Sequence, residues 1–93
     1  MQDGRKMYVI MVYDIKVERV NKILRIARKY LTWIQNSVLE GEITDAKFER
    51  LKYELREAID EAEDSVVFYL LRTTRYSSRE IMGVQKGGEI RIL

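Results

Sequence analysis

The residues from Met7 to Tyr13 are all apolar or aromatic, and Asp14 closes the run with a carboxylate. A continuous run of Val, Ile, Met and Tyr without polar alternation predicts a central strand covered on both faces or pressed against a helix layer. From Glu18 the period becomes helical: Val20, Ile23, Leu24, Ala27 and Leu31 share one face, and Lys22, Arg25 and Lys29 the opposite one. Thr32 to Ile43 returns to strand propensity in Trp33, Ile34, Val38, Leu39 and Ile43, broken at Asn36-Ser37 and at Glu40-Gly41. That pattern predicts one bent strand or a short, tight pair. Thr44 is a ready N-cap and Asp45 a first-turn acid, while Ala46, Phe48, Leu51, Leu55, Ala58, Ile59 and Ala62 trace an apolar stripe. A second helix over 45–62 follows. Its outer face alternates sign, with Arg50-Glu54 and Arg56-Asp60 at i,i+4, as an ordinary solvated surface does. Ser65 to Leu71 is a second continuous apolar run, ended by a basic loop from Arg72 to Arg75. Arg79 to Val84 reads as a shorter strand, and after Gly87-Gly88 the alternation of Glu89 to Leu93 reads as a last one.

A strand, a crossover helix and a strand, repeated twice in so short a chain, predict the α+β class. The expected form is a ferredoxin-like split βαβ, an antiparallel sheet with two helices on one face and an extra C-terminal strand. Residues 1–6 read as a flexible leader, 7–84 as the domain, and 85–93 as a strand that pairs either in its own sheet or with a partner subunit.

Composition narrows the chemistry. The 93 residues are 46% hydrophobic and 34% charged, enough for one core and one soluble domain. The longest apolar run is far short of the roughly 18 residues needed to cross a bilayer, so no membrane span is expected and the location is expected to be cytoplasmic. The chain has no Cys and no His, which excludes a disulfide framework, a thiolate zinc site, a thiol nucleophile and an imidazole base. Catalysis here would run on carboxylates, hydroxyls, cations and a hard ion such as magnesium.

Asp14 stands where open α/β sheets commonly hold ligands, at the carboxyl end of a buried strand and just ahead of a helix. Its position equally suits an Asp that ends the strand and hydrogen-bonds the next turn. A lone carboxylate is a poor magnesium site, but a two-fold dimer would bring a second copy of Asp14 to the axis. Arg19, Lys22, Arg25 and Lys29, with Arg72 and Arg75 in the later loop, are candidates for phosphate contacts, although a net charge of +2 also suits a plain solvated face. Tyr8, Tyr13, Tyr69 and Trp33 read as core or interface aromatics, and Glu40 and Glu42 as a polar turn around Gly41. No phosphate-cradling G-x-x-x-x-G-K loop occurs.

"YVIMVYDI", the basic helix after it, "RKYLTWIQNSVLEGEIT" and "SVVFYLL" together resemble the second CRISPR-associated protein family, the small partner of the integrase in spacer acquisition. The likeness spans Met7 to Val84. It implies a ferredoxin-like homodimer, a magnesium-dependent endonuclease on RNA or double-stranded DNA, and a scaffold for the CRISPR-associated integrase. The family's functional carboxylate, at the end of the first strand, falls on Asp14, which the resemblance makes both catalytic and metal-binding. The cations carry over only as charge. Leu39 stands where many members have Phe, and "GGEIRIL" has no match in the pattern. The competing readings are a dimeric nucleic-acid-binding scaffold that cuts nothing, and a ferredoxin-like RNase toxin or small-molecule regulatory module.

Overall fold

The computed structural model of the chain describes residues 5–73 and 76–84, with side chains for 5–71 and 79–84. The elements run β1 (Lys6–Asp14), α1 (Val17–Ala27), β2 (Thr32–Gln35), β3 (Val38–Thr44), α2 (Asp45–Ala58), β4 (Ser65–Thr73) and β5 (Tyr76–Gly83). One sheet holds every strand in the order β2-β3-β1-β4-β5, with each neighbouring pair antiparallel. This is the expected α+β, ferredoxin-like arrangement, with β5 added beside β4. The tail strand expected over 85–93 lies outside the described residues, as do residues 1–4 of the leader.

The two helices share one face of the sheet. Ile23 and Ala27 from α1 and Phe48, Leu51 and Leu55 from α2 are buried in one cluster with Met7, Val9, Met11 and Tyr13 of β1. Phe48 meets Phe68 of β4 edge to face, with ring centroids 5.0 Å apart. β1 alternates cleanly, so Tyr8, Ile10, Val12 and Asp14 project to the opposite face. Among the described residues β1 is thus pressed against the helix layer on one face, the second of the two expected arrangements, and only partly covered on the other. Ile10 and Val12 are half-buried and Tyr8 is 40% exposed. The register places Val38 of β3 beside Val12, and Tyr69 and Leu71 of β4 beside Ile10 and Tyr8, on that same open face.

One choice left open by the sequence pattern is settled, and two boundaries differ from it. Asn36, at a positive φ of 43°, turns the chain between β2 and β3, so the tight pair of strands forms and the single bent strand does not. β4 continues to Thr73, which puts Arg72 in a strand rather than in a loop, and Arg75 falls outside the described residues. α2 stops at Ala58, four residues before the periodic stripe would have ended it at Ala62. The cause is a turn built by side chains: Asp60 Oδ1 accepts from the Ala62 amide, and Asp64 Oδ2 accepts from the Asp60 amide. These bonds offer the backbone an alternative to another helical turn, and Ala62 ends up exposed.

Candidate active site at the carboxyl end of the central strand

Asp14 is the last residue of β1, exposed, on the open face and paired in register with Ser65 of β4. β1 lies third in a five-stranded sheet; at its carboxyl end the ladder to β4 runs on through Asp14, while that to β3 ends at Val12 beside Val38 and gives way to the Asn36-Ser37 turn. Two residues on, Lys16 is the N-cap of α1, with extended backbone and no side-chain capping bond of its own. The cap position is held instead from another element. The Asp64 carboxylate accepts from the Lys16 amide at 2.9 Å, from Arg19 Nε at 2.6 Å and from Arg19 NH2 at 3.1 Å, as well as from the Asp60 amide at 2.9 Å. A negative charge at a helix N-terminus is stabilising, and here it comes from a residue 45 positions beyond Arg19.

Asp64 is the buried acid of this chain end, with a fully enclosed side chain. The Arg19 guanidinium, with help from the Asp60 and Lys16 amides, holds its carboxyl well below the usual carboxylate range even though burial pulls the other way. Arg19 is raised in turn by Asp64 and by Glu63, whose Oε1 lies 2.9 Å away. Backbone contacts complete the cluster. The Val84 amide donates to the Asp64 carbonyl at 2.9 Å, and a Cβ on Gly83, whose φ is +88°, would stand 2.0 Å from that carbonyl oxygen. Only glycine fits there without displacing backbone.

The expected phosphate contacts are distributed differently. Arg19 is only 22% exposed and already bonded to two carboxylates, so it serves the Asp64 cluster. Lys22 and Arg25 are exposed on α1, which packs on the face of the sheet opposite Asp14 and runs away from it. Lys29 reaches Glu54 of α2 at 2.6 Å, so Glu54, which also feels Arg50 at i,i+4 as the sequence suggested, is tied to α1. Lys29 and the adjoining Tyr30 together pull the Glu54 carboxyl below its ordinary range. Lys29 also lines a cavity of about 260 Å3 with Lys6, Tyr30, Thr44 and Lys47, at the amino end of β1. Arg28, which the helical stripe did not single out, lies over the Trp33 ring at 5.8 Å and lines a shallow groove with Arg25 and Lys29. The tertiary structure thus keeps Arg19 at the Asp14 end of the sheet, bound to acids, and sets the other candidate cations of α1 on the helix-covered side. Asp64 was missed altogether, because in Glu61-Ala62-Glu63-Asp64 it reads as one more solvated acid.

Among the described residues, no group of three or more acidic side chains could hold a metal within one chain. Asp14 supplies one carboxylate. Magnesium takes six oxygens and usually keeps several waters, so Asp14 suits an ion completed by water, substrate phosphate or a second copy of the chain. No helix among the described residues is long and apolar enough to cross a membrane.

Comparison with known proteins gives a consistent result. Residues 7–79 match the family described as CRISPR associated protein Cas2. A protein of Dictyoglomus turgidum named CRISPR-associated endoribonuclease Cas2 is 63% identical over 87 residues, covering 94% of this chain and all of that one. Its namesake in Thermotoga maritima is 58% identical over 81 residues, covering 87% of this chain and 93% of that one. A crystal structure of cas2 superposes with a TM-score of 0.70 at 36% identity, covering 95% of this chain and 99% of that one.

Proposed function

The chain belongs to the CRISPR-associated protein Cas2 family, and from that premise we propose that it is a magnesium-dependent endonuclease in which Asp14 is the catalytic carboxylate. The relatives' name, endoribonuclease, supports RNA as a substrate; double-stranded DNA is the second substrate proposed. The observation that carries the reading is the place of Asp14, an exposed carboxylate at the end of a central strand, on a sheet face where Tyr8, Ile10, Val12, Tyr69 and Leu71 stand beside Glu40 and Glu42 and which neither helix covers. Covering that face with a second copy would give a homodimer and bring two Asp14 carboxylates toward one axis. A magnesium ion bound there would acidify a water and offset charge developing on the phosphate. Asp14 would orient that water for attack on phosphorus; the water oxygen forms a new bond to phosphorus and gives up a proton to solvent, the P–O ester bond breaks, and the leaving oxygen takes up a proton from solvent.

Asp14→Asn keeps the size and hydrogen-bonding shape of the side chain and removes its charge. Cleavage of labelled RNA or duplex DNA in magnesium should fall by about 100-fold or more, with an unchanged sedimentation profile. Equal cleavage by the purified variant and wild type would remove Asp14 from the chemistry.

A second reading has its own observation behind it. The exposed cations of α1 lie on the side of the sheet away from Asp14, and one carboxylate per chain is a small catalytic kit. That arrangement suits a dimeric scaffold that holds a duplex for the integrase without cutting it. Spacer acquisition by an Asp14→Asn strain separates the two: normal acquisition favours the scaffold, and its loss favours catalysis.

A further inference from the structure

The cluster around Asp64 is more than the turn needs. The turn after α2 uses one bond of the Asp64 carboxylate, from the Asp60 amide, beside the Asp60 side chain and the Asp64 amide, which donates to the Asp60 carbonyl at 2.7 Å. Beyond that bond the same carboxylate collects donors from the β1–α1 junction at Lys16 and the first turn of α1 at Arg19. Its carbonyl takes a fourth, from Val84 just past β5. The next residue, Ser65, is the register partner of Asp14. Asp14 is therefore held on one side by strand pairing to Ser65. On the other it is tied through two peptide units, at most about 7 Å of chain, to an amide gripped by the residue before Ser65.

We propose that Asp64 is a positioning residue for Asp14: its buried carboxylate, by gripping the Lys16 amide and the Arg19 guanidinium, sets where the carboxyl end of β1 stops and so where the Asp14 carboxylate stands. The inference rests on the reading of Asp14 as the catalytic carboxylate. It reassigns Arg19 from a contact with substrate phosphate to the support of that carboxylate. Such support matters because misplacing a reacting group by about 1 Å can cost about 100-fold in rate. An acid held by a partially solvated turn would not define a position that closely, whereas a fully enclosed carboxylate with four donors has one arrangement that satisfies all of them.

The full chain with Asp64→Asn tests this, since the amide keeps the volume but must turn an N–H toward a donor. Hydrogen exchange at the Ile15 and Lys16 amides should quicken by about tenfold while exchange at Val9 to Val12 is unchanged. Turnover on RNA should fall by about tenfold or more with KM within about twofold of wild type. Arg19→Gln should give the same signature, and it carries the test if Asp64→Asn does not fold. Looser exchange at Lys16 with normal turnover would reduce Asp64 to a structural brace and overturn the proposal. A raised KM with normal turnover in Arg19→Gln would also overturn it, by returning Arg19 to the substrate. Asp14→Asn run alongside keeps the two ideas apart: if it is inactive while Asp64→Asn is normal, only the positioning fails. If Asp14→Asn cleaves like wild type, the nuclease reading fails and takes the positioning with it.

Discussion

The two ends of β1 each carry a cation bridged to an acid across elements, and the two bridges differ in nearly everything else. At the carboxyl end, Arg19 meets Asp64 with side-chain exposures of 22% and 0%; at the amino end, Lys29 meets Glu54 with 56% and 25%. Both contacts are 2.6 Å. Distance alone would rank them equal. The first is a two-pronged guanidinium on a carboxylate that also accepts two backbone amides and has no water to fall back on. The second is an ammonium on a flexible stem, screened by solvent. Enclosed charges are expensive to leave unpaired, and exposed ones are cheap. The comparison teaches that the Asp14 end of the sheet is built to hold one geometry, and the Lys6 end to present cations to solvent.

Removing the enclosed acid should break the comparison most visibly. Asp64→Ala leaves the Lys16 and Asp60 amides and the Arg19 fork without their acceptor, and should lower the unfolding free energy by about 3 kcal/mol in urea melts. The same difference has a pH signature. The Asp64 carboxyl is depressed in the folded chain, so its contribution is fully present above its ordinary value of 3.8 and is lost as pH falls below that toward the folded-state value. The stability gap between wild type and Asp64→Asn should hold constant from pH 7 to about pH 5 and narrow steadily below about pH 4. A gap that did not narrow at all between about pH 5 and pH 2 would mean that packing, not charge, sets it.

Gly83→Ala probes the backbone side of the same end. The added Cβ would lie 2.0 Å from the Asp64 carbonyl oxygen, at a φ of +88° that L residues rarely adopt. We expect a loss of about 2 kcal/mol in the same melts. A variant as stable as wild type would show that β5 ends there by convenience and is not pinned by Asp64.

The amino end and the outer face of α1 should respond least in stability and most in salt dependence. Replacing Lys22, Arg25 and Lys29 together by Gln should leave the melting curve almost unmoved. The slope of log K against log salt for duplex binding should fall by about 1.8 if Lys22 and Arg25 each release a phosphate contact, and by about 2.7 if Lys29 leaves Glu54 to make a third. An unchanged slope would return the stripe to a solvated face.

Some of this was legible from local pattern. The apolar run before Asp14, the N-cap at Thr44, whose Oγ1 accepts from the Lys47 amide at 3.2 Å, and the turn at Asn36-Ser37 all depend on residues within a few positions of each other. The end of α2 was not legible, because Ile59 and Ala62 continue the apolar stripe. It took the Asp60 and Asp64 side chains to draw the backbone out of helix. The open face of the sheet was half legible. The unbroken apolar character of β1 and β4 says that both faces want cover, and it leaves open whether helices or another chain supply it.

By itself, the sequence determined the order and type of the elements and the place of Asp14 at a strand end. Strand and helix periods and cap chemistry are local, and every residue that sets them lies within a turn or two. Only the tertiary structure decided which charges meet. It carried Asp64 across 45 positions to Arg19 and shut it from water, turned Lys29 toward Glu54, and set Lys22 and Arg25 on the far side of the sheet from Asp14. A charged side chain's role depends on what surrounds it and on how much water remains, and folding brings those surroundings from distant parts of the chain.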